Sequence, residues 1–257
     1  MRTVVVTGAA SGIGRATAAL LESRGERVIG VDLHGSDVVV DLSTPTGRAD
    51  LVRRVGELSG GTVDAVAAIA GLANTGVPDV AVNYFGALAT LEGLRPLLAG
   101  SPSPRAVVTS SVASLLPHDD ALVDRCLAND ETGALDRAQT LVDTGHGGRI
   151  YNSTKVAVSR WVRRSAATEH WAGAGIPLNA VGPGIVRTPM MADMLATPEK
   201  RAGMASMIPM PLRGFMEPST PAALLAWLVG EENTHLCGQV IFIDGGSDVV
   251  LRGDSTW

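Results

Sequence analysis

Short runs of β-branched and other apolar residues alternate along this chain with longer stretches whose apolar positions recur at helical spacing. The runs are Thr3–Val6, Arg27–Val31, Ala65–Ile69, Arg105–Thr109, Pro177–Val181 and Val240–Ile243. Their near-continuous apolar character predicts strands covered on both faces. Helical patterns occupy Ile13–Arg24, Thr46–Leu58, Val80–Leu98, Tyr151–Ala172 and Thr220–Leu228. Strands and helices in this alternation predict a doubly wound α/β fold built on a parallel sheet. No internal repeat or low-complexity linker interrupts residues 1–257, so a single domain is expected. The phosphate site of such a fold is expected where the first strand meets its helix.

Composition narrows the class. A 257-residue chain with 46% hydrophobic residues and a formal net charge of −5 suits one large, well-buried domain. Eighteen per cent charged residues argue against disorder. No apolar run approaches the ~20 residues of a membrane helix. The chain enters strand-like sequence at Arg2, which predicts no leader peptide, and a cytoplasmic protein is expected. Cys126 and Cys237 fit neither a metal spacing nor a disulfide framework and read as two reduced thiols. His118, His146, His170 and His235 stand isolated, so no metal site is expected. An acidic balance without a Lys/Arg block offers no footprint for nucleic acid.

Gly8, Gly12 and Gly14 follow the first strand and open a helix. Glycine permits a tight turn and close approach of a pyrophosphate, and the helix N-terminus offers free N–H groups. The spacing is Gly-x-x-x-Gly-x-Gly rather than Gly-x-Gly-x-x-Gly, and such a turn is structural only in about one case in three. Asp32 ends the second strand, 18 positions past Gly14. A carboxylate there accepts hydrogen bonds from an adenosine ribose and repels a 2′-phosphate; its bland alternative is an ordinary turn residue. Together with Ser11, which stands where a basic residue would help an extra phosphate, Asp32 favours NAD over NADP.

Tyr151 and Lys155 supply half of the tyrosines and half of the lysines in the chain. Four residues apart, they share a helix face. A fixed positive charge beside a phenol favours the phenolate and is expected to lower its pKa towards working pH. A phenol so tuned can exchange a proton with an alcohol or carbonyl oxygen. Alone the pair is weak evidence, since pairs at this spacing decorate ordinary helices.

With the glycine turn upstream, the chain resembles the short-chain dehydrogenase/reductase family nearly end to end. The cofactor turn Thr-Gly-x-x-x-Gly-x-Gly is Thr7 to Gly14, and Asp41-Leu42 matches the adenine-side pair. The element Asn-Asn-Ala-Gly survives as Ala68-Ile69-Ala70-Gly71, which removes the hydrogen bonds of both asparagines from the central sheet. Asn83, Tyr151 and Lys155 match three members of the catalytic tetrad; the serine is Ser110 or Ser111, and the family's register selects Ser111. Pro183-Gly184 with Thr188 matches the element that holds the nicotinamide carboxamide, and Asp244-Gly245-Gly246 the turn after the last strand. The resemblance implies a Rossmann-like fold that binds NAD through Gly8, Ser11, Gly12, Ile13, Gly14, Asp32, Leu33, Asp41, Leu42, Ala70 and Gly71. It also implies contacts from Tyr151, Lys155, Pro183, Gly184, Val186 and Thr188. In the implied mechanism Tyr151 is the acid–base group and Lys155 lowers its pKa and reaches the nicotinamide ribose. Ser111 orients the substrate oxygen, and Asn83 anchors a water on the proton path. The bland alternatives are a strand-end hydroxyl for Ser111 and helix capping for Asn83.

Two departures carry information. Ser111 and Tyr151 lie 40 residues apart, against about a dozen in the family, so residues 115–149 form a helical insertion before the tyrosine helix. The stretch from Gly71 to Asn83 is shorter than the family norm. With Ser110-Ser111-Val112-Ala113-Ser114, these features resemble the bacterial 3α-hydroxysteroid dehydrogenase/carbonyl reductase branch. Seven of the eight methionines, Met190 to Met216, fall within 27 residues in the region expected to be a substrate lid, about 188–220. Methionine moulds itself to apolar ligands, although core filling is the plain alternative. The prolines of this segment break it into short pieces, as an opening loop requires.

The leading reading is therefore an NAD-dependent enzyme interconverting a ketone and a secondary alcohol on an apolar, alicyclic or steroid-like substrate. A 3-oxoacyl-thioester reductase and a non-catalytic NAD(H) sensor on the same fold are the alternatives. Leu122, Leu135, Leu141 and Val142 of the insertion need burial, which predicts a homodimer in which the family's usual tetramer is blocked and the insertion forms or shields the subunit contact; packing within the subunit, over the substrate mouth, is the alternative.

Overall fold

The computed structural model describes residues 1–255. Seven strands form one parallel sheet: β1 (Thr3–Thr7), β2 (Arg27–Asp32), β3 (Val38–Val39), β4 (Ala65–Ala68), β5 (Arg105–Thr109), β6 (Leu178–Pro183) and β7 (Val240–Ile243). Their order is β3-β2-β1-β4-β5-β6-β7. The chain order reverses between β1 and β4, and the crevice beyond the C-terminal ends of the strands there is where such sheets bind ligands. Val4, Val5 and Val6 are fully buried because helices cover both faces.

The helices are α1 (Gly12–Ser23), α2 (Pro45–Ser59), α3 (Val77–Val80), a π-helical segment (Ala81–Gly86), α4 (Ala87–Leu98), α5 (Asp120–Leu127), α6 (Glu131–Asp143), α7 (Gly148–Ser165), α8 (Pro198–Met207), α9 (Ser219–Val229) and α10 (Ser247–Arg252). On one face of the sheet, α1 and α9 enclose a core around Val4, Val6, Leu21 and Leu225. On the other, α2, α4 and α7 enclose a larger core with Leu51, Leu91 and Val158. A third cluster, around Ile185, Ile208 and Met210, underlies the segment after β6.

Several expectations are corrected. The two-residue β3 carries too little periodicity to be read from sequence. The helix expected over 151–172 spans Gly148–Ser165; the apolar period runs on into Trp171, which is buried from turns that end at Gly175 with φ +74°. The pattern over 80–98 is divided by the π-helical segment, and the short helices α8 and α10 were not anticipated.

The insertion folds as α5 and α6 and packs on its own subunit. Asp119 caps α5 by accepting the Leu122 N–H at 2.8 Å, and Asp130 caps α6 by accepting that of Gly133 at 3.0 Å. Leu122 and Leu141 are buried in the larger core and Leu135 packs against it, whereas Val142 is 40% exposed. Burial of Leu122, Leu135 and Leu141 is thus supplied within the subunit, where α5 packs on α7 and α6 on α7 and the π-helical segment. Arg48 fastens α6 to the sheet edge, pairing with Glu131 at 2.7 Å and donating to the carbonyls of Leu42, Ser43 and Ala81.

Candidate active site

β1 delivers Thr7 to the crevice. Its hydroxyl oxygen accepts the N–H groups of Ile69 (2.9 Å) and Ala70 (3.0 Å), tying the end of β4 to β1 where the family's two asparagines are missing. The next turn has no room for side chains. Gly8 and Gly12 adopt φ of +72° and +51°, and a Cβ on Gly14 would lie 2.1 Å from the Gly8 carbonyl oxygen. Ser11 sits at the N-cap of α1 without a side-chain capping bond, so the first-turn N–H groups of α1 have no side-chain partner. With Ile13, these residues line the cavity described below.

The expected adenosine side is less open. One oxygen of Asp32 accepts the Ala10 N–H at 3.0 Å and the other the Leu33 N–H at 2.7 Å, so the turn role weighed for it is real. The Asp41 carboxylate accepts from Ser43 at 2.8 Å, Leu42 is buried against Gly86, and Leu33 is 47% exposed. None of these four residues lines the main cavity.

The tetrad candidates converge from three elements. Tyr151 and Lys155 lie one turn apart on α7, with the Lys155 Nζ 5.6 Å from the centre of the phenol ring. Lys155 is buried and its ammonium donates to the Thr109 carbonyl at 2.9 Å, at the end of β5. Ser111 lines the same cavity as the phenol and acts to lower its pKa, while its oxygen accepts the Ala113 N–H at 3.1 Å. Ser110 instead donates to the Lys155 carbonyl at 3.1 Å and shares a 2.7 Å bond with Ser159, facing away from the phenol. The choice of Ser111 over Ser110 follows from this alternation at the strand end. Asn83, in the π-helical segment, accepts the Leu72 N–H at 2.7 Å and donates to the Leu72 carbonyl at 2.9 Å. Its amide is thus committed to the loop after β4, and it does not line the cavity.

The electrostatics correct one expectation. Tyr151 is shifted up from the usual phenol value, not down: burial disfavours the phenolate, the Ser111 hydrogen bond opposes this, and the Asp79 charge adds to it. Burial likewise pushes Lys155 down to about 8, against the raising effect of Asp79. Sequence spacing places the pair together but does not report the burial that dominates both.

Between the glycine turn and the segment after β6 lies a cavity of about 390 Å³. Ala70, Gly71, Ser111, Tyr151 and Lys155 line it, as do Pro183, Gly184, Val186 and Thr188. Met190, Met191, Met194, Met204 and Met207 form its outer wall. Met210 and Met216 do not; Met210 is buried, its sulfur accepting the Ile185 N–H at 3.2 Å. The wall thus takes five of the seven clustered methionines, and core filling takes Met210. Among the described residues lining the cavity, Lys155 is the only charged side chain. No group of three or more His, Cys, Asp or Glu among the described residues is arranged to hold a metal. None of the described helices is long and apolar enough to cross a membrane.

Sequence reasoning missed three residues here. Thr7, read only as the start of the glycine turn, also ties the end of β4 to β1 through its hydroxyl oxygen. Thr109 lines the cavity with a buried hydroxyl oxygen that has no protein partner. Asp79 is a fully buried carboxylate whose signal was available: an acid inside the apolar run Val77–Val82, one helical turn before Asn83.

Known proteins resemble this chain along nearly its whole length. A family model described as enoyl-(acyl carrier protein) reductase matches residues 133–248. The 3α-hydroxysteroid dehydrogenase/carbonyl reductase of Comamonas testosteroni is 35% identical, covering 98% of both chains. The 3β-hydroxysteroid dehydrogenase 1 of Eggerthella lenta is 28% identical over 95% of this chain and 93% of its own. Among solved structures, the NADH complex of 3α-hydroxysteroid dehydrogenase from Pseudomonas sp. B-0831 superposes with a TM-score of 0.89 at 37% identity. It covers 98% of this chain and 99% of its own. The chain belongs to the short-chain dehydrogenase/reductase family and is a hydroxysteroid dehydrogenase/carbonyl reductase-like oxidoreductase.

Proposed function

We propose that the protein interconverts a secondary alcohol and a ketone on a neutral, apolar, alicyclic or steroid-like molecule, using NAD. The observation that carries this reading is the charge-poor, methionine-walled cavity with Tyr151, Ser111 and Lys155 on one side. A phosphorylated or carrier-bound substrate finds no cationic partner in it except the buried Lys155, which is held by Thr109.

The residues present fit a nicotinamide dinucleotide. A Cβ at Gly14 would strike the Gly8 carbonyl, so this turn is built for close backbone approach. Gly8, Ser11, Gly12, Ile13 and Gly14 would hold the phosphates on the N–H groups of α1. Asp32, with Leu33, Asp41 and Leu42 nearby, would take the adenosine, and Ala70, Gly71, Pro183, Gly184, Val186 and Thr188 the nicotinamide end. Bound there, the cofactor supplies the hydride acceptor or donor. Tyr151 takes the alcohol proton, or returns one to the carbonyl oxygen. Ser111 holds that oxygen by a hydrogen bond, and Lys155 stabilises the phenolate by its charge.

A panel of cyclic alcohols and ketones, sterols and 3-oxoacyl thioesters, assayed with NAD and NADP side by side, tests the proposal. Turnover of thioesters alone would overturn the substrate reading. Cofactor binding without turnover of any panel member would favour a sensor. Asp32→Ala is expected to weaken NAD binding and narrow its advantage over NADP, read as dissociation constants from fluorescence titration. A wild-type preference for NADP would remove Asp32 from this role.

The same reading extends to assembly. α5 and α6 lie against α7 and the π-helical segment, the surface through which family members commonly meet in four-helix contacts. A homodimer with that contact obstructed is expected from light scattering. A tetramer built on α4 and α7 would overturn it.

A further inference from the structure

Asp79 is a buried acid that the mechanism above leaves unused. Its side chain is fully inaccessible, and one oxygen accepts the Asn74 N–H at 3.0 Å while the other accepts those of Asn74 and Thr75, each at 3.1 Å. Both oxygens only accept, the arrangement of a carboxylate; burial raises its pKa, and the Asn74 and Thr75 N–H groups and the Lys155 charge oppose that rise. The segment it gathers is a wall of the active-site cavity, to which Ala73 and Thr75 contribute. Thr75 is held at φ +57°, a conformation a β-branched residue rarely adopts, so the wall is shaped by its restraints. The Thr75 carbonyl in turn lies against the start of the tyrosine helix, where a Cβ on Gly147 would come within 2.7 Å of it.

We propose that Asp79 is a positioning residue for the catalytic pair: its carboxylate folds the 73–75 wall against α7 and sets a buried negative charge behind Lys155 and Tyr151. The inference rests on the oxidoreductase reading for its kinetic consequence but not for its electrostatic one.

The charged neighbours are few. α3 packs on α7, on α6 and on the π-helical segment. From α7, Lys155 and Tyr151 both feel the Asp79 charge. On α6, Glu131 is bonded to Arg48 and Arg137 to Asp119, while Asp136 and Asp143 are exposed. The π-helical segment brings no charge. The sign follows directly: the carboxylate disfavours the phenolate and favours the ammonium, so it raises the pKa of both Tyr151 and Lys155. Removing it moves both ionisations to lower pH.

The chain has two tyrosines, and Tyr84 is buried and shifted up by that burial. In a Tyr84→Phe background the tyrosinate absorbance therefore titrates Tyr151 alone. Asp79→Asn in that background is expected to shift the titration down by about one pH unit, as a buried unit charge nearby would. A wall role without a charge role would leave the titration unmoved, and that result overturns the electrostatic half. Asp79→Ser is the second neutral variant, and an unmoved titration in whichever variant folds has the same meaning. Gly147→Ala displaces the Thr75 carbonyl and leaves Asp79 in place; it is expected to raise the substrate KM severalfold with kcat and the Tyr151 titration unchanged. An unchanged KM overturns the wall half. If wild-type enzyme turns over no alcohol or ketone, the function proposed above fails while the titration still decides the charge role of Asp79.

Discussion

Tyr151→Phe is expected to lower turnover by about 10²–10⁴-fold while leaving the dissociation constant of NAD within a factor of about two. The ring keeps its place on α7 between Ser111 and Lys155, so cavity shape and cofactor seat are preserved. What disappears is the phenol hydroxyl that lines the cavity beside Ser111 and a buried ammonium. Because burial holds the phenol above its usual value in this state, the rate of alcohol oxidation is expected to rise with pH as the phenolate forms. The positive charge of an oxidised nicotinamide would favour the phenolate. Single-turnover oxidation measured at saturating NAD, across pH, separates the two readouts. Comparable rates in mutant and wild type would remove Tyr151 from the mechanism.

What could be read from the sequence was local. The glycine turn is legible because backbone crowding at Gly14 and the positive φ at Gly8 and Gly12 each demand glycine where it stands. Tyr151 and Lys155 are legible because one turn of helix brings them together whatever surrounds them. Ser111 is legible through strand alternation once Ser110 turns to Ser159. The strands of the sheet interior announce themselves by unbroken apolar runs; β3, with two residues, has none to show. Features set by distant partners stayed hidden. Thr7 holds β4 from 62 residues away, and Arg48 holds α6 from 83 residues away. The direction of the Tyr151 shift depends on burial contributed by several elements, and spacing alone gave the opposite sign. The insertion illustrates the same limit. Leu122 and Leu141 correctly demanded burial and Val142 did not, yet periodicity does not say whose surface supplies it, and here α7 of the same subunit does.

Lys155→Met is expected to abolish turnover, weaken NAD and, separately, change how stability depends on pH. Lys155 is 3% exposed and its pKa is lowered from 10.5 to about 8 by burial. Between those values the unfolded chain binds the proton that the folded protein has released, so unfolding takes up protons and stability rises with pH. Below about pH 8 both states are protonated, and the buried ammonium counts against the fold by an amount that no longer varies. The shift corresponds to a change of about 3 kcal/mol across the window, at about 1.4 kcal/mol per unit. Methionine has nearly the length of the lysine stem and no charge, so the variant lacks this rise. The bond to the Thr109 carbonyl is lost at every pH, as is the favourable charge opposite Asp79. Those losses displace the whole curve of the variant but add no slope between pH 8 and 10. Tyr151 acts only above that range, where its raised pKa makes stability fall as the unfolded phenol ionises first. Denaturant unfolding of both proteins from pH 7 to 10 is the measurement. A wild-type curve that climbs relative to the variant places the titrating proton on Lys155; parallel curves would mean that its ammonium is not destabilised by burial.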